Sequence, residues 1–199
     1  MALRQTASQT IGPFFAYGLI PKSYGYEYPG IASNVLATET TAGERIRLQG
    51  HVFDGEGAVV NDAMIEIWQA DAKGCYGHPL DCEIPATDPT AFHGFGRAGT
   101  GAQSSRRYTF DTIKPGSTAD GQAPHINMAV FMRGLLAHLY TRVYFSDHEA
   151  ANATDKILNT VAPGRRDTLV ARRIESPAGV TYEFNIRMQG QRETVFFDV

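Results

Sequence analysis

His125-Ile126-Asn127-Met128-Ala129-Val130-Phe131-Met132-Arg133 is the stretch that decides how this chain folds. In an extended strand successive side chains point to opposite faces, so Ile126, Met128 and Val130 fill one face while His125 and Asn127 share the other. Two ligand-capable side chains two apart at the start of a strand are a common grip on a metal ion. Here the second is an amide, and whether the chain performs chemistry itself turns on that asparagine.

Working outward, the same period of two recurs. It runs clearly through residues 138–145, through Ile46, Leu48 and His51-Val52-Phe53, through residues 63–68 and through residues 107–113. Residues 168–175 and 180–188 flank Ser176-Pro177-Ala178-Gly179 as a hairpin, and residues 194–198 supply a last short strand. Helical spacing is convincing only once. Ser146 with Glu149 makes a capping box, and Ala150, Ala153, Ile157, Leu158 and Val161 follow until Pro163-Gly164. The thirty or so residues after Gly74, broken by Pro79, Pro85, Pro89, Gly94, Gly96 and Gly99, read as a long loop on the functional face. Seven or eight short strands, one helix and no alternation of helix with strand predict an all-β sandwich.

The 199 residues suit one domain, 1–199, with an arm over 1–40 and the sandwich over 41–199. Breakers every few residues make the arm irregular. Its aromatics, Phe14, Phe15, Tyr17, Tyr24, Tyr26 and Tyr28, are costly to leave in water, so it lies either on its own domain or across a partner subunit. A net charge of −3 offers no basic footprint for nucleic acid, and no run of about 18 apolar residues suggests a membrane span. With two cysteines, Cys75 and Cys82, and no CxxC, a reducing cytoplasmic compartment and free thiols are expected.

Few constellations carry chemistry. Glu66, beside the sole tryptophan Trp68, reads as a hydrogen-bonded or interface carboxylate rather than half of a hydrolytic pair. Of six histidines none forms HxH or HExxH, and His125 is the best metal candidate among them. No nucleophile elbow or phosphate loop is present. Arg133 ends an apolar strand and precedes Gly134, a place from which a guanidinium could grip a carboxylate with two hydrogen bonds.

Several segments together resemble the intradiol ring-cleaving dioxygenases: residues 9–15, Ile67-Trp68-Gln69-Ala70-Asp71 with Gly74, Phe95-Gly96-Arg97, Thr112-Ile113-Lys114-Pro115-Gly116, Pro124-His125-Ile126, and the tail from Gln189-Gly190 to Asp198. The resemblance implies a β-sandwich core and a non-haem Fe(III) held by two tyrosinates and two histidines, a donor set suited to that metal. This chain departs from that set. Asn127 replaces the second histidine, Thr118 stands in the region where one tyrosine belongs, and Glu83 stands where the other does, Tyr76 coming too early. The resemblance therefore implies a chain that binds no iron and completes the pocket of a related, iron-bearing beta chain. Thr10, Gly12, Pro13 and Phe14 would reach the substrate, and Arg133 would face its carboxylate. Two rivals stay open, a metal enzyme built on His125 and a scaffold subunit that never touches substrate.

Overall fold

A computed structural model describes residues 11–12, 14–27, 30–77, 92–101 and 104–198. Its strands are β1 (Arg45–Gly50), β2 (Val52–Phe53), β3 (Met64–Gln69), β4 (Phe95–Gly99), β5 (Tyr108–Ile113), β6 (His125–Phe131), β7 (Leu139–Phe145), β8 (Val170–Ser176), β9 (Gly179–Glu183) and β10 (Ile186–Arg187). Eight of them hydrogen-bond in the order β4-β3-β6-β7-β8-β9-β1-β5, and β2 pairs with β10 apart from them. The long sheet is hinged at β7 and β8, which meet only through Tyr144↔Val170 and Phe145↔Ala171. On either side of that hinge the two halves fold face to face. Ile65, Ile67, Ile126, Met128, Val130 and Val143 from one half join Ile46, Leu48, Tyr108, Phe110, Ala171 and Tyr182 from the other in a single core cluster. This is the expected sandwich, and the alternation along β6 falls as read, with Ile126, Met128 and Val130 buried.

Polar stitches close the layers. Gln69, fully buried at the end of β3, donates from Nε2 to the Ile113 carbonyl at 2.9 Å and accepts from Thr112 Oγ1 at 2.8 Å, tying β3 to β5 across the sandwich. Near the hinge Lys114 pairs with Asp147, which also accepts the Tyr182 hydroxyl at 2.9 Å. Such satisfied groups cost little to bury.

Four expectations are corrected. Phe95–Gly99, read as loop, is β4, paired with β3 from Trp68↔Phe95 to Met64↔Gly99. Its sequence, FGRAG, has weak strand propensity. Packing selects it instead, since a Cβ at Gly99 would lie 2.3 Å from Ile20 Cδ1 of the arm. The single helix over 146–161 is two, α2 (Glu149–Thr154) and α3 (Lys156–Thr160), and the capping box does not form because Ser146 Oγ accepts the Arg173 amide at 3.0 Å. Between them Asp155 turns extended, and its buried carboxylate accepts from the Leu158 amide at 2.7 Å, the Ala123 amide at 2.8 Å and the Tyr144 hydroxyl at 3.0 Å. Residues 194–198 add only the bridge Tyr140↔Phe197, because Thr194 is taken up by hydrogen bonds to Arg187.

The arm, finally, holds a short helix, α1 (Phe15–Leu19), followed by a 3-10 turn over Pro21–Tyr24. Ala16 and Ile20 pack with Met64 of β3, and Phe15 and Tyr24 pack around them with Phe131 of β6. A five-residue helix without a side-chain cap is marginal on propensity alone, so this contact is what orders it. Its other side leaves Phe14 79% and Tyr26 47% exposed.

Candidate functional site

The outer face of β6 begins with His125 and Asn127, and a loop residue joins them. The turn after β3 is built by Asp71, whose Oδ1 accepts the Lys73 and Cys75 amides at 2.8 and 2.9 Å and whose carbonyl accepts the Gly116 amide at 2.9 Å. Gly74 sits there with φ +86, where a Cβ would lie 1.8 Å from the Ser117 carbonyl oxygen, so glycine alone lets the two turns close on each other. The motifs around Asp71 and Lys114-Pro115-Gly116 are thus one assembly. It delivers Tyr76 over the face, edge-on to Trp68 at 5.6 Å between ring centroids. Cys75 is disulfide-bonded, against the expected free thiol, and Cys82 lies outside the described residues.

Tyr76 bridges the two side chains. His125 Nδ1 lies 2.8 Å from the Ala123 carbonyl oxygen, which can only accept, so the proton is on Nδ1 and Nε2 carries a lone pair. The Tyr76 hydroxyl, 2.9 Å from Nε2, donates to it, and Asn127 Nδ2 donates to the same hydroxyl at 2.8 Å. Sequence reasoning had set Tyr76 aside; its signal was the rigid turn built by Asp71 and Gly74. Thr118 does not join, since its hydroxyl bonds Asp120. Glu83 lies outside the described residues. Ferric iron, expected of intradiol dioxygenases, does not fit these donors. One imidazole, one phenol already committed to it and an amide that donates rather than ligates leave the set short of anionic oxygen, and no group of three or more His, Cys, Asp or Glu among the described residues could hold a metal ion.

Burial pushes the His125 imidazole below its ordinary value of 6.5, against an opposing pull from the Ala123 hydrogen bond. As pH falls the unfolded chain protonates first, so the stability contributed by neutral His125 is full above pH 6.5 and is lost as pH drops below it. Urea midpoints at about pH 7.5 and about pH 5.5 should differ more for the native chain than for His125→Asn, and an equal difference in both would remove His125 as the cause.

At the far end of β6, roughly 20 Å away along six residues of strand, stand the other candidates. Arg133 pairs through Nε with Asp62 and keeps its side chain 60% exposed. Gly12 accepts the Phe15 amide at 3.3 Å just ahead of α1, and Phe14 follows it at the surface. Thr10 and Pro13 lie outside the described residues. The structure therefore brings Arg133 to the side of the sheet where the arm packs, and separates it from His125 and Asn127. Glu66 accepts from Arg97 Nε at 2.7 Å while Arg97 Nη1 reaches the Leu19 carbonyl at 3.2 Å, so the carboxylate anchors the arm, in line with a hydrogen-bonded role.

A sandwich of this topology, with His125, Asn127 and Tyr76 joined at one end of its central strand and an exposed arginine at the other, agrees with a family model described as Dioxygenase that matches residues 30–190. The chain belongs to this family, the intradiol dioxygenases. It is 49% identical over 198 residues to the protocatechuate 3,4-dioxygenase alpha chain of Burkholderia cepacia, covering 99% of this chain and 98% of that one. To the beta chain of the same organism it is 33% identical over 174 residues, covering 82% and 72%. Among solved structures, 3-chlorocatechol 1,2-dioxygenase from Rhodococcus opacus 1CP shares the fold with a TM-score of 0.57 at 23% identity, covering 81% of this chain and 67% of that one. The family read from the motifs is borne out. No helix among the described residues is long and apolar enough to cross a membrane.

Proposed function

We propose that this chain is the alpha subunit of a protocatechuate 3,4-dioxygenase, a single domain, 1–199, whose arm over 1–40 lies at the interface with an iron-bearing beta chain. The pair cleaves 3,4-dihydroxybenzoate between its hydroxyl-bearing carbons, both atoms of O2 entering 3-carboxy-cis,cis-muconate. This chain supplies no metal ligand and no reacting group. Its part is to bind and orient: Arg133 faces the substrate carboxylate, and Thr10, Gly12, Pro13 and Phe14 close over the ring and exclude water. A cytoplasmic location and assembly into higher oligomers of alpha–beta pairs belong to the same reading.

The observation that carries the proposal is the hydrogen-bonded chain from Asn127 through Tyr76 to His125, set beside 49% identity to a chain named alpha. An amide that donates to the phenol occupies the place where a second imidazole would ligate, so the described donors favour a division of labour between chains. Exposed aromatics on the arm, Phe14 above all, and the exposed Leu136 just past Arg133 suit burial against a partner.

The chain should be expressed alone and together with a beta chain of the kind it resembles. Iron content, the visible tyrosinate-to-iron band and oxygen uptake should appear only in the co-expressed complex. Stoichiometric iron and turnover from this chain alone would sink the proposal, and unchanged kinetics in the complex after substituting Thr10 or Pro13 would favour a scaffold role.

A further inference from the structure

We infer that Asp62 is a positioning residue that sets the direction in which Arg133 presents its guanidinium to a carboxylate. This rests on the role proposed for Arg133. The antiparallel register of β3 and β6 pairs Met64 with Phe131. Carried two residues further, the same register sets Asp62 opposite Arg133, on the face where α1 packs. They form a cross-strand pair of opposite charge beyond the last ladder rung. The contact is made through Arg133 Nε. A guanidinium has two usable edges, and a carboxylate held at Nε leaves the paired terminal nitrogens directed away from it, the fork that grips a second carboxylate with two hydrogen bonds.

The pair sits beside the arm. Asp62 is the more sheltered partner, 26% exposed in its side chain against 60% for Arg133. Tyr24, from the 3-10 turn of the arm, lies close enough that Asp62 and Arg133 act on its hydroxyl in opposite directions, while burial raises its pKa most. The Tyr24 hydroxyl also lies 3.3 Å from where a Cβ on Gly101 would stand. Asp62 thus lies at the sheet end within electrostatic reach of the arm's Tyr24. An arginine on a free stem loses several rotors when it binds, whereas one already held at Nε loses fewer, so the consequence falls on affinity for the carboxylate and not on ring chemistry.

The test uses the assembled alpha–beta enzyme with protocatechuate and catechol as paired substrates. Asp62→Ala should raise the KM for protocatechuate about fivefold more than that for catechol. Asp62→Asn, which keeps an oxygen for Nε without its charge, should restore most of the difference. On an Arg133→Ala background Asp62→Ala should add nothing to the discrimination. A KM ratio within about twofold of native in Asp62→Ala, equal increases for both substrates, or a lower protocatechuate KM in Asp62→Asn would overturn the inference, the last because it would make Asp62 a competitor for the arginine. If Asp62→Ala fails to assemble, Asp62→Ser, which is too short to reach Nε, is read by the same ratio. Failure of the parent reading looks different, as Arg133→Ala would then raise both KM values alike.

Discussion

Replacing Asp155 by alanine should lower stability by about 3–5 kcal/mol, the largest effect expected of any single substitution in this chain. Its carboxylate, fully buried, accepts from the amides of Leu158 and Ala123 and from the hydroxyl of Tyr144. Truncation leaves three buried donors with nothing to bond. Each unsatisfied group costs roughly 1–3 kcal/mol, less whatever water entering the gap recovers. Asp155→Asn, still offering one oxygen acceptor, should cost distinctly less. Urea unfolding followed by far-UV circular dichroism measures both. Equal midpoints for Asp155→Ala and the native chain would show that the helix break at this residue, and not its carboxylate, is what the fold requires.

The second large effect concerns discrimination between substrates. In the assembled enzyme Arg133→Ala should weaken protocatechuate more than uncharged catechol. A charge-assisted hydrogen bond is worth about 1.5–3 kcal/mol, hence roughly tenfold or more in affinity. With its side chain 60% exposed in the chain by itself, Arg133 would gain little from a carboxylate in open solvent. The full effect therefore needs the partner subunit to exclude water from the contact. Steady-state kinetics with both substrates, over a range of ionic strength, decide the matter, and equal losses on the two would show that Arg133 does not read the carboxylate.

How far these features could be read from the residues follows from what creates each of them. β1, β5, β6 and β7 were legible because alternate residues fill the core along most of their length, which writes a period of two into the sequence even where outward residues such as His125 and Tyr144 are buried as well. β4 was not, because its glycines carry no such pattern and are selected by Leu36 and Ile20 packing against them. The helix over 146–161 looked continuous because its apolar spacing is helical throughout. Its interruption answers to donors on Ala123 and Tyr144, more than ten residues away in the chain. α1 was hidden for the same reason, its order being supplied by Met64 and Phe131.

At the site, the shared face of His125 and Asn127 followed from strand geometry alone. Tyr76 did not, since a loop residue is placed by its anchors, and those lie in two turns some forty residues apart that Gly74 allows to touch. Arg133 was singled out by its position after an apolar strand, whereas its counter-ion became visible only once β3 and β6 were set in register.

That register has a consequence for how such a chain could arise. Along β6 the residues that hold the sandwich together and those that face outward alternate strictly, so position 127 can exchange an imidazole for an amide without disturbing Ile126 or Met128. A chain built this way can change the donors on its outer face one substitution at a time while its core stays intact.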